Sequence, residues 1–247
     1  MAELGHAIYV ENLTAAIQIA TAWGSKYDPS NPLLSIASMT KTRDAGAAAI
    51  DATQQSIVPY RNATNAAKIG FDRINPLARR VIPAMKGQGI IDPGAIDDVK
   101  FIIRKLTGRR ATPAIKDDPN TTNVNEAEKS NSASQMSRTQ RIENVENLSL
   151  QLGSYADYKP NESDLTAAGI TAFAGELRAL VDGVTNSFVP YSNNLSDRDD
   201  KLYNNPDSVV KVGNMFKAYV ESKFTRDSDE WRQVEKLVFK NQSRNRN

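Results

Sequence analysis

One stretch of this 247-residue chain is written twice, and that constrains the fold more than any single motif does. Tyr27–Thr107 aligns without a gap to Tyr158–Val238 at a fixed offset of 131, and 17 of the 81 pairs are identical. The clearest block is Ser56-Ile-Val-Pro-Tyr-Arg-Asn62 against Ser187-Phe-Val-Pro-Tyr-Ser-Asn193. Tyr27-x-Pro29 answers to Tyr158-x-Pro160, and Lys105-Leu106 to Lys236-Leu237. Upstream, Val10-Glu-Asn-Leu13 meets Val145-Glu-Asn-Leu148 at an offset of 135, a step that a four-residue difference in the loop after the first helix explains. A repeat of this length is a structural unit used twice.

Each repeat reads as helical. Val10, Leu13 and Ile17 recur three and four apart, as do Val145, Leu148 and Leu152. In the second repeat Ile170, Phe173, Leu177, Leu180, Val184 and Phe188 mark one helical face. Their counterparts, Met39, Thr42, Gly46, Ala49, Thr53 and Ile57, are mostly smaller, so bulk in one repeat is expected to fit small-lined grooves in the other. Proline within Val-Pro-Tyr predicts a kink or a helix start between the second and third helical stretches. Downstream, Leu77, Val81 and Met85 pair by position with Ser208, Val212 and Phe216. A last helix with Ile96, Val99, Ile103 and Leu106 on one face matches one capped near Ser228 or Asp229 that carries Trp231, Val234 and Leu237. No alternating run of β-branched residues occurs, so the expected class is all-α.

The segment from Gly108 to about Thr139 is polar and poor in large apolar residues, which reads as a linker. The expected organisation is a first helical repeat over 1–107, a linker over 108–140 and a second repeat over 141–247. The two repeats are expected to dock about a pseudo-two-fold axis into one interlocked domain.

Composition removes several functions. Without cysteine there is no disulfide, thiolate chemistry or sulfur-ligated metal. The single histidine, His6, stands near the start and is expected to face solvent. A net charge of +2 does not advertise nucleic acid, and the basic clusters at Arg109-Arg110 and Arg244–Asn247 read as solvated loop and tail. No run approaches the apolar length of a membrane span, so no membrane insertion is expected. The N-terminus does not resemble a signal peptide, which places the chain in the cytoplasm by default and leaves export by another route open.

Two motifs invite chemistry. Ser38-Met-Thr-Lys41 matches the Ser-x-x-Lys of penicillin-recognising hydrolases, and Tyr191-Ser-Asn193 resembles their Tyr-x-Asn element. No Lys-Thr-Gly follows, Tyr191 is accounted for by its twin Tyr60, and Ser38 and Lys41 correspond to Gly169 and Ala172. Gly87-x-Gly89 follows a helix, which suits a helix end better than a phosphate loop. No catalytic residue, cofactor or metal ligand is expected. The candidate binding or interface residues are the duplicated aromatics Tyr60, Tyr191, Tyr27 and Tyr158, read either as equivalent contacts in two pseudo-symmetric sites or as the same interhelical corner filled twice.

Arg61–Gly89, Lys105–Ala111 and Ser132–Asn144, with the Val-Pro-Tyr blocks, resemble a group of duplicated all-helical proteins of Bacteroidota-type bacteria. That group carries no assigned activity, so the resemblance implies bacterial origin and transfers no functional residue. The resulting expectation is a non-enzymatic structural or scaffold protein that self-associates into an oligomer or filament-like assembly. The alternative is a soluble adaptor that binds another protein in the groove between the repeats.

Overall fold

The computed structural model describes residues 4–108 and 136–242, and these residues are helical without a strand. The first repeat supplies α1 (Leu4–Trp23), α2 (Ile36–Asp72), α3 (Ile74–Gly87) and α4 (Pro93–Thr107). The second supplies α5 (Arg138–Gly153), α6 (Ala167–Asp199), α7 (Val209–Phe224) and α8 (Asp229–Val234). Because α5 opens at Arg138, helix begins ahead of the residue-141 boundary read from composition. Most of the expected linker, with Arg109 and Arg110, lies outside the described residues, as do Arg244–Asn247.

Local chemistry sets the helix ends. Asp92 caps α4 by accepting from the Ala95 N–H at 2.8 Å, with Pro93 in the first turn, where its missing donor costs nothing. Gly108 closes the same helix at φ 68°, a left-handed conformation that glycine adopts without a side-chain clash. Ser137 caps α5 through the Gln140 N–H, and Ser228 caps α8 through the Trp231 N–H. The Val-Pro-Tyr blocks do not start helices, since Pro59 lies inside α2 and Pro190 inside α6. The long helices on both sides carry the backbone through the missing hydrogen bond.

The chain forms two compact units, Met1–Arg61 with Asn186–Asn247, and Asn62–Thr185. Their boundary does not follow the repeats; it cuts each repeat within its long helix. In the first unit, Leu13, Tyr27, Leu34 and Met39 of the first repeat pack with Tyr203, Val212, Phe216 and Val234 of the second. In the second unit, Leu148, Tyr158, Leu165 and Ile170 of the second repeat pack with Val81, Met85, Val99 and Leu106 of the first. Each core therefore draws on both of the aligned segments, the leading part of one and the trailing part of the other.

Helical periodicity anticipates most of these positions, including Ile170, Phe173 and Leu177. It overreaches at Phe188, which is exposed. Small residues do receive bulk, although not between the expected partners. In the first unit Gly46 leaves so little room that a Cβ there would fall 2.7 Å from Val209 Cγ2. In the second, Gly70 of α2 abuts Leu180 and Leu177 of α6. Gly46 and Leu177, paired by the offset, belong to different units.

Candidate functional site

The two Val-Pro-Tyr segments meet within the first unit. The rings of Tyr60 and Tyr191 stack with centroids 5.5 Å apart and planes 15° from parallel, and Phe188 lies 5.5 Å from Tyr60 at a tilt of 54°. Phe188 and Tyr191 stand three residues apart on α6 and so share a face. Next to the stack, Asn194 donates to the Ala52 carbonyl at 3.1 Å, and Thr53 Oγ1, bonded within its own helix to the Ala49 carbonyl at 2.9 Å, also reaches the Asn194 carbonyl at 3.1 Å. These contacts tie α2 to α6 beside the aromatic stack. Phe188 is 46% exposed, and the flanking Val58 and Val189 are 53% and 51% exposed. The result is an aromatic cluster on a polar-bonded footing that still faces outward.

Tyr27 and Tyr158 are not brought together; each closes a corner of its own unit. Tyr27 Oη donates to the Leu34 carbonyl at 2.6 Å, and Tyr158 Oη donates to the Leu165 carbonyl at 2.9 Å. The turns beneath them match as well: the Leu34 N–H reaches the Asn31 carbonyl at 3.0 Å, and the Leu165 N–H reaches that of Glu162 at 2.9 Å. Burial pushes the Tyr27 hydroxyl well above the usual tyrosine range, with Tyr219 adding to the shift. Burial pushes Tyr158 up to about 12, with Glu162 and Asp164 adding. Both are buried rings with one bonded tip, a packing arrangement.

Ser38 sits in the first turn of α2, where Ser35 Oγ donates to its hydroxyl at 2.8 Å and accepts from its N–H at 3.2 Å. Thr166 gives the same backbone cap to Gly169 at 2.9 Å, so the Ser-x-x-Lys match falls on a helix start capped as the start of α6 is. His6 does not face solvent freely. It lies in the first turn of α1, half-buried, with Nδ1 hydrogen-bonded to the buried Tyr203 hydroxyl. Among the described residues no group of three or more His, Asp or Glu side chains is placed to hold a metal, and no helix is long and apolar enough to cross a membrane.

Two features escaped the sequence reading. In the second unit, α3 and α6 border a cleft of about 380 Å³ floored by Leu77 and Phe173. Arg73 pairs with Glu176 and lies 4.9 Å over the Phe173 ring, and Arg80 pairs with Asp164. The arginines come from one repeat and the acids from the other, more than 80 positions away, so no local pattern announces the pairing. In the first unit, Arg198 and Asp199 are buried at the end of α6, followed by a π-helical turn over Asp200–Asn204. That turn brings Tyr203 beneath Tyr9, ring centroids 6.0 Å apart and edge to face. The offset pairs Arg198 and Asp199 with Ala67 and Lys68, so the ion pair has no twin.

No family model, curated protein or solved structure matches this chain.

Proposed function

We propose that this chain is a self-associating structural protein, a helical scaffold without a reaction of its own, and that the paired Val-Pro-Tyr segments form its contact surface. The observation that carries this reading is Phe188, an aromatic ring left exposed against the Tyr60–Tyr191 stack. Exposed aromatics beside half-buried ones are what protein interfaces enrich, because they remove large areas from water at a small entropy cost. We infer a tandem duplication as the origin of the chain. The Tyr27 and Tyr158 hydrogen bonds, and the Ser35 and Thr166 caps, support it by recurring at the same offset as the sequence identities. The reciprocal make-up of the two cores is the pairing that a pseudo-two-fold docking of repeats calls for.

Light scattering of the full chain from micromolar to near-millimolar concentration tests the reading. The wild type is expected to show a mass above the monomer, and Phe188→Asp with Val189→Asp is expected to return it toward the monomer at unchanged helical content. A strictly monomeric wild type over that range refutes it.

The adaptor reading draws on the cleft in the second unit, which lies between side chains of the two repeats. Its apolar floor and paired charges suit a peptide with a hydrophobic anchor flanked by charge. Under that reading Phe173→Ala abolishes partner capture, and the Phe188 variant leaves capture intact.

A further inference from the structure

Neither core belongs to one repeat. The first unit sets Leu13, Tyr27 and Met39 against Val212, Phe216 and Val234, and the second sets Leu148, Tyr158 and Ile170 against Val81, Met85 and Leu106. The close approaches also cross from repeat to repeat, Gly46 against Val209 and Gly70 against Leu180. So do the pairs Arg73–Glu176 and Arg80–Asp164. None of these contacts requires that both partners lie on one chain. Residues 4–108 of one molecule meeting residues 136–242 of another would form the same set.

We propose that this chain associates with a second copy of itself by exchanging repeats: residues 4–108 of each chain pair with residues 136–242 of the other, so that both units are rebuilt twice in a closed dimer. The inference rests on the self-association reading, but not on the Val-Pro-Tyr surface. Closed monomer and exchanged dimer bury the same side chains, so concentration decides between them. A short flexible tether sets an effective concentration on the order of millimolar, so exchange is tested as protein concentration approaches that level. Passing from one form to the other separates the repeats and opens both cores, which makes it slow under native conditions and fast only through unfolding. When the exchange does not close on two chains, each molecule hands its second repeat to the next, and an open string results.

The chain has no cysteine, so single thiols can be placed cleanly. Arg73→Cys and Glu176→Cys replace two exposed partners on opposite repeats. The two full-length variants are mixed, unfolded in denaturant, refolded together at near-millimolar concentration and treated with a short bismaleimide. The double variant Arg73→Cys/Glu176→Cys, treated at micromolar concentration, calibrates the reach of the reagent within one chain. The expected product of the mixture is a covalent dimer holding one chain of each kind, at a yield at least about tenfold above that after refolding at micromolar concentration. Its far-ultraviolet circular dichroism per residue equals that of the monomer. No cross-chain product in the mixture, while the double variant cross-links, overturns the exchange. If light scattering of those samples still exceeds the monomer mass, exchange alone fails and self-association runs through another surface. If the mass is monomeric, both readings fail together.

Discussion

Arg198 and Asp199 are neighbours in sequence and partners in the interior: Nη2 and Nε of the guanidinium lie 2.7 and 3.1 Å from one carboxylate oxygen, with the side chains 2% and 5% exposed. Removing the cation strands a carboxylate in the core of the first unit. Arg198→Ala is expected to lower stability by about 3–5 kcal/mol, read as the shift in a urea unfolding midpoint at constant slope. Arg198→Met with Asp199→Leu removes both charges and is expected to cost far less than the single change. A double variant as unstable as Arg198→Ala would show that stranded charge is not the cause.

The buried tyrosines make the fold sensitive to alkali. Folding holds Tyr158 in its neutral form, with its pKa raised to about 12. Above about pH 10 the unfolded chain gives up this proton and the folded chain keeps it, so stability falls as pH rises until the folded hydroxyl itself ionises. Tyr27 acts in the same direction. Each tyrosine should contribute a slope of about 1.4 kcal/mol per pH unit in that window. In chemical denaturation across it, Tyr158→Phe should remove about one such increment. At neutral pH it should cost about 1–3 kcal/mol, because the Leu165 carbonyl loses its donor.

Since each core joins both repeats, cutting the chain between them should not separate them. A protease site placed between residues 109 and 135, cleaved in the folded full-length protein, is expected to leave two pieces that co-elute at the intact mass. They should part only in denaturant. Pieces that drift apart in native buffer would contradict cores built from both parts of the chain.

A Cβ built on Gly213 would fall 2.4–2.6 Å from three ring atoms of Phe239, close enough to displace the whole ring. Gly213→Ala is expected to cost about 1–3 kcal/mol. It should also loosen the segment that Asn214 holds through the Phe239 carbonyl, measurable as faster C-terminal proteolysis. Gly70→Ala is the contrasting change. Its nearest neighbour is the flexible end of Leu180, which can turn aside, so a smaller loss is expected.

The sequence alone determined the local grammar of this protein. A 3.6-residue period identifies an apolar face whatever later covers it, which is why Leu13, Val81, Ile170 and Phe216 could be read as core. Capping is a short-range contact, so Ser228 could be placed within a residue. The repeat placed Tyr60 and Tyr191 as equivalents, although nothing in one strand of letters says that their rings would stack.

What only the tertiary structure decided is which face covers which. An apolar face specifies burial and not a partner, so the aligned segments do not announce that each core draws on both of them. Proline lowers helix stability locally, yet α2 and α6 run through Pro59 and Pro190, each with a long helical flank on either side. The run Asp197-Arg-Asp-Asp200 is charged at every position. Its central pair is buried with each charge beside its partner, an adjacency that leaves no periodic trace in the sequence.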